Sequence, residues 1–392
     1  MAFFTNRDIN YLAAHTTLHQ LAFSISGIFS AVFLFRAGIS PAGIFLTFAA
    51  IFVLRLVFRP LPLFIVPVIG LRRALILGTS LTAVQYPLLA LVNGPGIALA
   101  VFCVVSALEN VIYWTCYHAF FAALGDVEGR GRQVGVRQAL GAAAGIVGPA
   151  LGGMTLSIFG PWAAFGTSAL IAAAAIVPLL AVREPQFART APFRAYADAK
   201  TGVRLFITDG WITSSSMWTW HIILFQALDT RYDAFGGVLA AAALAGALGG
   251  MMLGHLIDMG HARHAAWLNA TFVGGSLLLR AFCGNDPIVV TGVAIGATVI
   301  GGAYIPTLMT ALYNEAKRAP CILRFHVAAE GGWDVGASMV CLIAAAICAF
   351  GQPLQVVILL ALPMVALQAY LLDDTAIRAN SLGSMAGVRP RE

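Results

Sequence analysis

The chain is poor in charge and has almost no lysine. Charged residues make up 10% of its 392 positions, whereas 60% are hydrophobic and the mean hydropathy is +0.86. This composition excludes an ordinary soluble domain. The net charge is +6, yet no run interleaves basic and aromatic residues, so we expect no nucleic-acid partner. Only Lys200 and Lys317 are lysines, and the preference for arginine indicates a GC-rich bacterial genome.

Sequence patterns for metal, redox and nucleotide chemistry are also missing. The six cysteines form no CxxC or Cys/His pattern, so we expect packing roles for them and no cofactor. His15 and His19 have the i, i+4 spacing of metal ligands, but no further ligand motif accompanies them, and we predict no metal site. No phosphate-binding loop occurs, which argues against ATP as a direct energy source.

Long apolar segments recur along the whole chain. A helix of ~20 apolar residues crosses a bilayer, because lipid offers no partner for unpaired backbone groups. The sequence therefore predicts an all-α polytopic membrane protein. We predict twelve spans, near Ile9–Phe35, Pro41–Val66, Ala74–Leu91, Pro95–Ala122, Val136–Ile158, Pro161–Val182, Val203–Leu228, Phe235–Leu256, Ala265–Phe282, Ile288–Leu312, Ile322–Phe350 and Pro353–Leu372.

Most of the 23 basic residues fall on one side of these spans, in the even-numbered links and the two tails. By the positive-inside rule, both termini are predicted to be cytoplasmic, in a bacterial inner membrane. The longest polar stretch lies midway along the chain. It divides the chain into a six-helix bundle (1–182), a cytoplasmic linker (183–202), a second six-helix bundle (203–372) and a cytoplasmic tail (373–392).

Two glycine-rich helix faces indicate close helix packing, since a face without side chains lets another helix approach. The second, in span eight, is a candidate partner of the first, in span five. The residues are Gly145, Gly148, Pro149, Gly152 and Gly153 in span five, and Gly246, Gly250 and Gly254 in span eight.

The order Gly148-Pro149-x-x-Gly152-Gly153 resembles the antiporter motif of the major facilitator superfamily. The link from Gly254 through Asp258 to Arg263 is similar to that family's G-x-L-x-D-R-x-G-R-K loop, although Met259 stands where a basic residue is usual. The resemblance implies two pseudo-symmetric six-helix bundles. It also implies that spans one, four, seven and ten line a central cavity, and that Asp258 and Arg263 latch the inward face.

Charges within the spans need a reason, because each costs ~3 kcal/mol to insert. They are Arg55, Arg59, Glu109, Glu330 and Asp334. Arg55 and Glu109 follow the prolines that open their spans by equal lengths, so they could pair at one depth. In the alternative pairing, Arg55 and Arg59 face Glu330 and Asp334. Such pairs serve either to hold helices together or as proton sites, with Glu109 the first candidate and Asp334 the second.

Polar and aromatic residues concentrate in spans one, four, seven and ten. The candidate cavity residues are His15, His19, Tyr113, Trp114, Tyr117, Trp218, His221 and Tyr304. Together these features predict a monomeric, proton-coupled transporter that exports a small-molecule solute by antiport. An uptake symporter or uniporter is the alternative, followed by a membrane-embedded enzyme or a non-transporting scaffold.

Overall fold

The computed structural model describes residues 6–124, 130–185, 199–257, 262–301 and 304–385. These residues form α-helices joined by short turns, and they contain no strand. The helices of the first half are α1 (Arg7–Ser26), α2 (Ser30–Arg36), α3 (Pro41–Phe58), α4 (Leu61–Ile69), α5 (Leu71–Ala90), α6 (Ile97–Leu124), α7 (Arg130–Ile158), α8 (Gly160–Ala174) and α9 (Ile176–Leu180). Those of the second half are α10 (Lys200–Ala227), α11 (Tyr232–Ile257), α12 (Ala262–Phe282), α13 (Pro287–Gly301), α14 (Tyr304–Arg318), α15 (Ile322–Ala349), α16 (Leu354–Leu359) and α17 (Ala361–Met385).

Helices cover all twelve segments predicted as spans. Within the described residues, eight spans are apolar and long enough to cross a membrane on length and composition alone. Several segments consist of two helices. One break follows Arg59, because Pro60 has no N–H to continue the hydrogen-bond ladder of α3.

Hydrogen bonds tie the helix ends together at each face of the bundle. On the terminal side, named for the chain terminus at α1, Asn6 Nδ2 donates to Leu124 O (3.2 Å) and Arg183 N donates to Asp8 Oδ1 (3.1 Å). On the opposite, far side, Arg36 Nη1 donates to Thr230 O (2.7 Å). The spans therefore alternate in direction, as a polytopic fold requires.

The turn before α5 shows how the terminal side is held. Gly70 has φ +87°, a left-handed conformation that glycine adopts without a side-chain penalty. The backbone N–H groups of Leu71 and Arg72 then donate to the carboxylate of Glu184. A carboxylate at a helix N-terminus satisfies unpaired N–H groups and interacts favourably with the helix dipole. This contact fixes the end of the sixth span against the start of the third.

The two halves meet along two seams. Helix α3 packs on α15, and α7 packs on α11. Other pairs, such as α5 with α6 and α10 with α15, lie within one half. Charged and aromatic side chains fill the α3–α15 seam, whereas glycines line the α7–α11 seam.

The predicted tail differs from the structure in one respect. Helix α17 continues without interruption to Met385, so the tail from residue 373 is helical over most of its length. No proline or other helix breaker follows Pro363, which explains the continuation. Helix α10 begins at Lys200, inside the predicted linker, while positions 186–198 and 386–392 lie outside the described residues.

Candidate functional site

A cavity of about 250 Å³ lies between the two halves, and aromatic rings form much of its wall. Phe48 of α3 stacks on Trp218 of α10, with ring centroids 4.3 Å apart and planes at 14°. Phe52 meets Trp333 of α15 edge to face at 5.2 Å. Both contacts join one half to the other. The volume is below the ~300–1,000 Å³ of drug-sized sites, so it suits a compact solute.

Glu109 of α6 is an acidic residue in the cavity wall, and it is buried. Thr82 Oγ1 donates to Glu109 Oε1 (2.8 Å), and Asn110 Nδ2 donates to Glu109 Oε2 (2.6 Å). His19 Nε2 lies 3.8 Å from Oε1. Within the described residues no arginine forms an ion pair with this carboxylate. Glu109 is therefore held by neutral donors and one histidine.

The other embedded charges form a separate cluster on the α3–α15 seam. Arg55 Nε lies 2.7 Å from Asp334 Oδ1, and its Nη2 lies 3.9 Å from Glu330 Oε2. Arg59 Nη2 donates to Asp334 Oδ2. Of the two pairings that the sequence left open, this is the second. Arg55 pairs with the acids of α15 and not with Glu109.

Asn110 connects this cluster to Glu109. Its side-chain oxygen accepts from Arg55 Nη1 at 3.5 Å, while its nitrogen donates to Glu109. Arg55 also lies over the ring of Trp333, with Cζ 4.9 Å from the centroid. A change in the charge of Glu109 would thus reach the contact between the halves through one side chain.

On the terminal side of the cavity, polar groups bridge the halves. His118 Nδ1 and Tyr313 Oη are 2.9 Å apart, and His118 Nε2 lies 3.5 Å from Glu330 Oε1. His326 stacks on His118 with centroids 5.3 Å apart. These contacts join α6 to α14 and α15, and they cover the cavity from that side.

On the far side, the turn between α10 and α11 rests against the first half. Asp229 and Thr230 both have positive φ, 53° and 57°, which is uncommon for residues with a side chain. Arg36 donates to Thr230 O, and its Cζ lies 5.1 Å from the Tyr232 ring centroid. At the exposed surface, hydrogen bonding to the adjacent Asp233 raises the pKa of Arg231. The cavity is therefore covered on both sides.

The glycines of α7 serve two neighbours. A Cβ added at Gly148 or Gly152 would clash with Ser24 and Ile25 of α1, respectively. A Cβ at Gly153 would clash with the backbone of α11, 3.2 Å from Gly236 Cα. Gly145 and Pro149 lie on this second face, near Ala243 and Gly236 respectively.

The prediction that Gly246 faces span five is wrong. Gly246 packs against Thr298 of α13, and Gly236 and Ala243 contact α7 instead. Gly246 is three residues beyond Ala243, which turns it about 60° away from that face. For Gly250, Gly254, Arg263 and Tyr304 only the helical backbone is described, and Asp258 lies outside the described residues.

The predicted cavity residues fall into two groups. His19, Trp114 and Trp218 line the cavity. The others with described side chains are buried between helices away from its wall; they are His15, Tyr113, Tyr117 and His221. His15 Nδ1 donates to Ala175 O (2.8 Å), and its Nε2 lies 3.2 Å from Tyr113 Oη.

Several residues of the site were not predicted. Asn110 follows Glu109 directly in an apolar segment, and that adjacency was an available signal. Asp209 is a buried acid of α10 that accepts from Trp333 Nε1 at 2.9 Å. Its position inside a predicted span could have identified it. Nothing in the sequence singled out Trp333. No group of three His, Cys, Asp or Glu suited to a metal occurs in the part of the chain that the structure describes.

An all-helical membrane protein whose cavity lies between two bundles has the architecture of the secondary transporters. The family comparison agrees. Residues 12–321 match the family model of the Major Facilitator Superfamily, and the chain belongs to this family. It is accordingly a transporter of the MFS kind.

Solved structures share the whole fold at low sequence identity. The nucleoside transporter NupG is 12% identical with a TM-score of 0.64, covering 96% of this chain and 99% of NupG; a mutant of NupG gives 10% and 0.67, with 94% and 99% covered. The human organic anion transporter MFSD10 (TETRAN) is 15% identical with a TM-score of 0.66, covering 93% and 99%. No functionally curated protein matches the sequence. At these identities the likeness concerns the fold alone.

Proposed function

We propose that the chain is a proton-coupled antiporter that exports a small solute, with Glu109 as the proton-binding group. The observation that carries this proposal is the isolation of Glu109. Its carboxylate is buried in the cavity wall without an arginine partner, whereas Asp334 and Glu330 are neutralised by Arg55 and Arg59. A buried carboxylate without a counter-charge is the group most readily neutralised by a proton.

The seam of small residues supports alternating access. On α7, Gly148 and Gly152 contact α1, while Pro149 and Gly153 contact α11. Helices in such close contact pivot together or not at all, because any added side chain collides with backbone. The Gly-Pro-x-x-Gly-Gly order resembles that of antiporters, which favours export.

The contacts that cover the cavity act as the two gates in this proposal. His118 with Tyr313 and Glu330 closes the terminal side, and Arg36 with Thr230 closes the far side. In the orientation that the arginine distribution favours, the terminal side faces the cytoplasm of a bacterium. Protonation of Glu109 would act on the terminal gate through Asn110 and Arg55. A single chain holds the complete cavity, so we propose a monomer.

The test is proton flux in proteoliposomes that contain a pH-sensitive dye. The purified chain is reconstituted, and nucleosides, organic anions and organic amines are added in turn under an imposed pH gradient. One class should drive proton movement opposite to its own. Proton movement in the same direction as the solute would establish symport instead.

Glu109→Gln should abolish the coupled proton flux. The matched control is Glu315→Gln, which makes the same chemical change at a surface ion pair with Arg318. Such pairs contribute ~0–1 kcal/mol, so this variant should transport normally. Unchanged proton flux in Glu109→Gln would exclude Glu109 as the coupling residue.

A further inference from the structure

We infer that the solute is a compact aromatic cation, whose ammonium group binds Glu109 in exchange for the proton. The inference rests on the proposed function and adds the chemical class of the substrate. It is argued from the charges, the rings and the unpartnered polar atoms of the cavity.

The charges of the site favour a positive ligand. Both embedded arginines already contact carboxylates of α15, and Arg55 is further enclosed by the rings of Phe52 and Trp333. Neither has a free face for an anion. Glu109 is the carboxylate left over. Its oxygens accept one hydrogen bond each, whereas a carboxylate has about four acceptor positions. An ammonium group could occupy those that remain.

The rings of the cavity favour the same ligand. Phe48, Phe52, Trp114, Trp218 and Trp333 line it together with Glu109. Aromatic faces attract cations and stack on planar rings, and both interactions strengthen where water is excluded. A volume of about 250 Å³ limits the solute to one or two rings with a short side chain.

Two polar atoms in the wall point to a polar substituent on the ring. The indole N–H of Trp218 and the hydroxyl of Ser106 are buried and have no hydrogen-bond partner among the described residues. Leaving a buried donor unpaired costs ~1–3 kcal/mol. A hydroxyl on the solute would satisfy one of them, so tyramine should bind more tightly than phenethylamine.

Proton and ammonium compete for one carboxylate in this arrangement. The groups that face Glu109 are His19 from α1, Thr82 and Tyr86 from α5, and Asn110 beside it, with Arg55 of α3 beyond Asn110. The proton leaves Glu109 when the ammonium arrives, so net charge in the cavity is conserved. Falling pH should therefore weaken binding of the cation, because an aliphatic amine stays protonated throughout the range near neutrality.

The experiment compares three ligands of one shape and different charge: phenethylamine (cation), 2-phenylethanol (neutral) and 3-phenylpropionate (anion). Their affinities for the purified full chain in detergent are measured by calorimetry, for the unaltered protein and for Glu109→Gln. We expect phenethylamine to bind about 10-fold or more tightly than 2-phenylethanol, through a charge-assisted hydrogen bond. This advantage should disappear in Glu109→Gln and shrink as the pH is lowered.

Binding of 2-phenylethanol serves as the control for folding, since it should be equal in both proteins. A stronger affinity for 3-phenylpropionate, a cation preference that persists in Glu109→Gln, or no binding of any of the three would overturn the inference. Flux assays separate it from the proposed function. If an anion or a nucleoside drives proton exchange and phenethylamine does not bind, the proposed function stands and this inference fails. If phenethylamine binds with the expected selectivity but moves no protons, this inference stands and proton coupling fails.

Discussion

Two adjacent glycines of α11 allow a sharp test of the α7–α11 seam. A Cβ added at Gly236 would collide with the backbone carbonyl of Pro149 and lie 3.1 Å from Gly153 Cα. A Cβ added at Gly237 meets nothing within 4 Å. The variants Gly236→Ala and Gly237→Ala therefore differ in packing, while both replace a glycine inside the same helix.

The helix term cancels between them, and the packing term remains. Replacing glycine by alanine inside a helix contributes ~0.8–1.0 kcal/mol of stability in either variant. Overpacking against backbone, which cannot rotate away, costs ~1–3 kcal/mol in Gly236→Ala only. Gly236→Ala should thus be less stable than Gly237→Ala by about 1–3 kcal/mol. An unfolding entropy of ~2.1 cal/mol/K per residue over 392 residues converts this to a Tm difference of about 1–4 °C.

The assay combines thermal unfolding in detergent, followed by tryptophan fluorescence, with the rate of transport in proteoliposomes. Gly237→Ala should match or exceed the unaltered protein in Tm and retain its transport rate. Gly236→Ala should unfold earlier and transport more slowly, because the two helices are held apart at the seam on which the halves move. Equal stability and equal transport in the two variants would refute the close contact between Pro149 and Gly236.

Two further variants test the contacts around the cavity. Asp334→Asn leaves two buried arginines without their nearest carboxylate and should cost ~3–5 kcal/mol of stability. Glu330→Gln should cost less, because its carboxylate lies 3.9 Å from the nearest guanidinium, and an equal loss in both variants would contradict the assignment. Arg36→Ala removes the far-side hydrogen bond, so a cysteine placed at Ser30 in the cavity wall should react several-fold faster with a membrane-impermeant maleimide. Arg231→Ala, which removes an exposed pair within one turn, should not change that rate.

The helices and the family were predictable because both follow from local rules. Lipid cannot hydrogen-bond the backbone, so each long apolar segment of the chain forms helix regardless of its neighbours. The Gly148-Pro149-x-x-Gly152-Gly153 order was readable for the same reason, since the spacing alone places its members on definite helix faces. The cost of a buried charge singled out Arg55, Arg59, Glu109, Glu330 and Asp334 before any contact was known. Which of them pair was not readable.

The pairings depend on the rotation of each helix about its own axis, which the sequence does not specify. Depth along the span made Glu109 and Asp334 equally suitable partners for Arg55. In the structure, α3 packs along α15, which places Asp334 against both arginines and turns Glu109 towards Thr82 and Asn110.

The sequence alone therefore determined the helical spans, the buried charges and the small-residue motif, because each depends on residues close together in one helix. Tertiary structure decided that Gly236, and not Gly246, faces α7. It also placed Trp333 in the wall of the cavity and kept Tyr113 out of it. These outcomes depend on how helices far apart in the chain are rotated and packed, and a difference of about 60° about a helix axis is enough to reverse them.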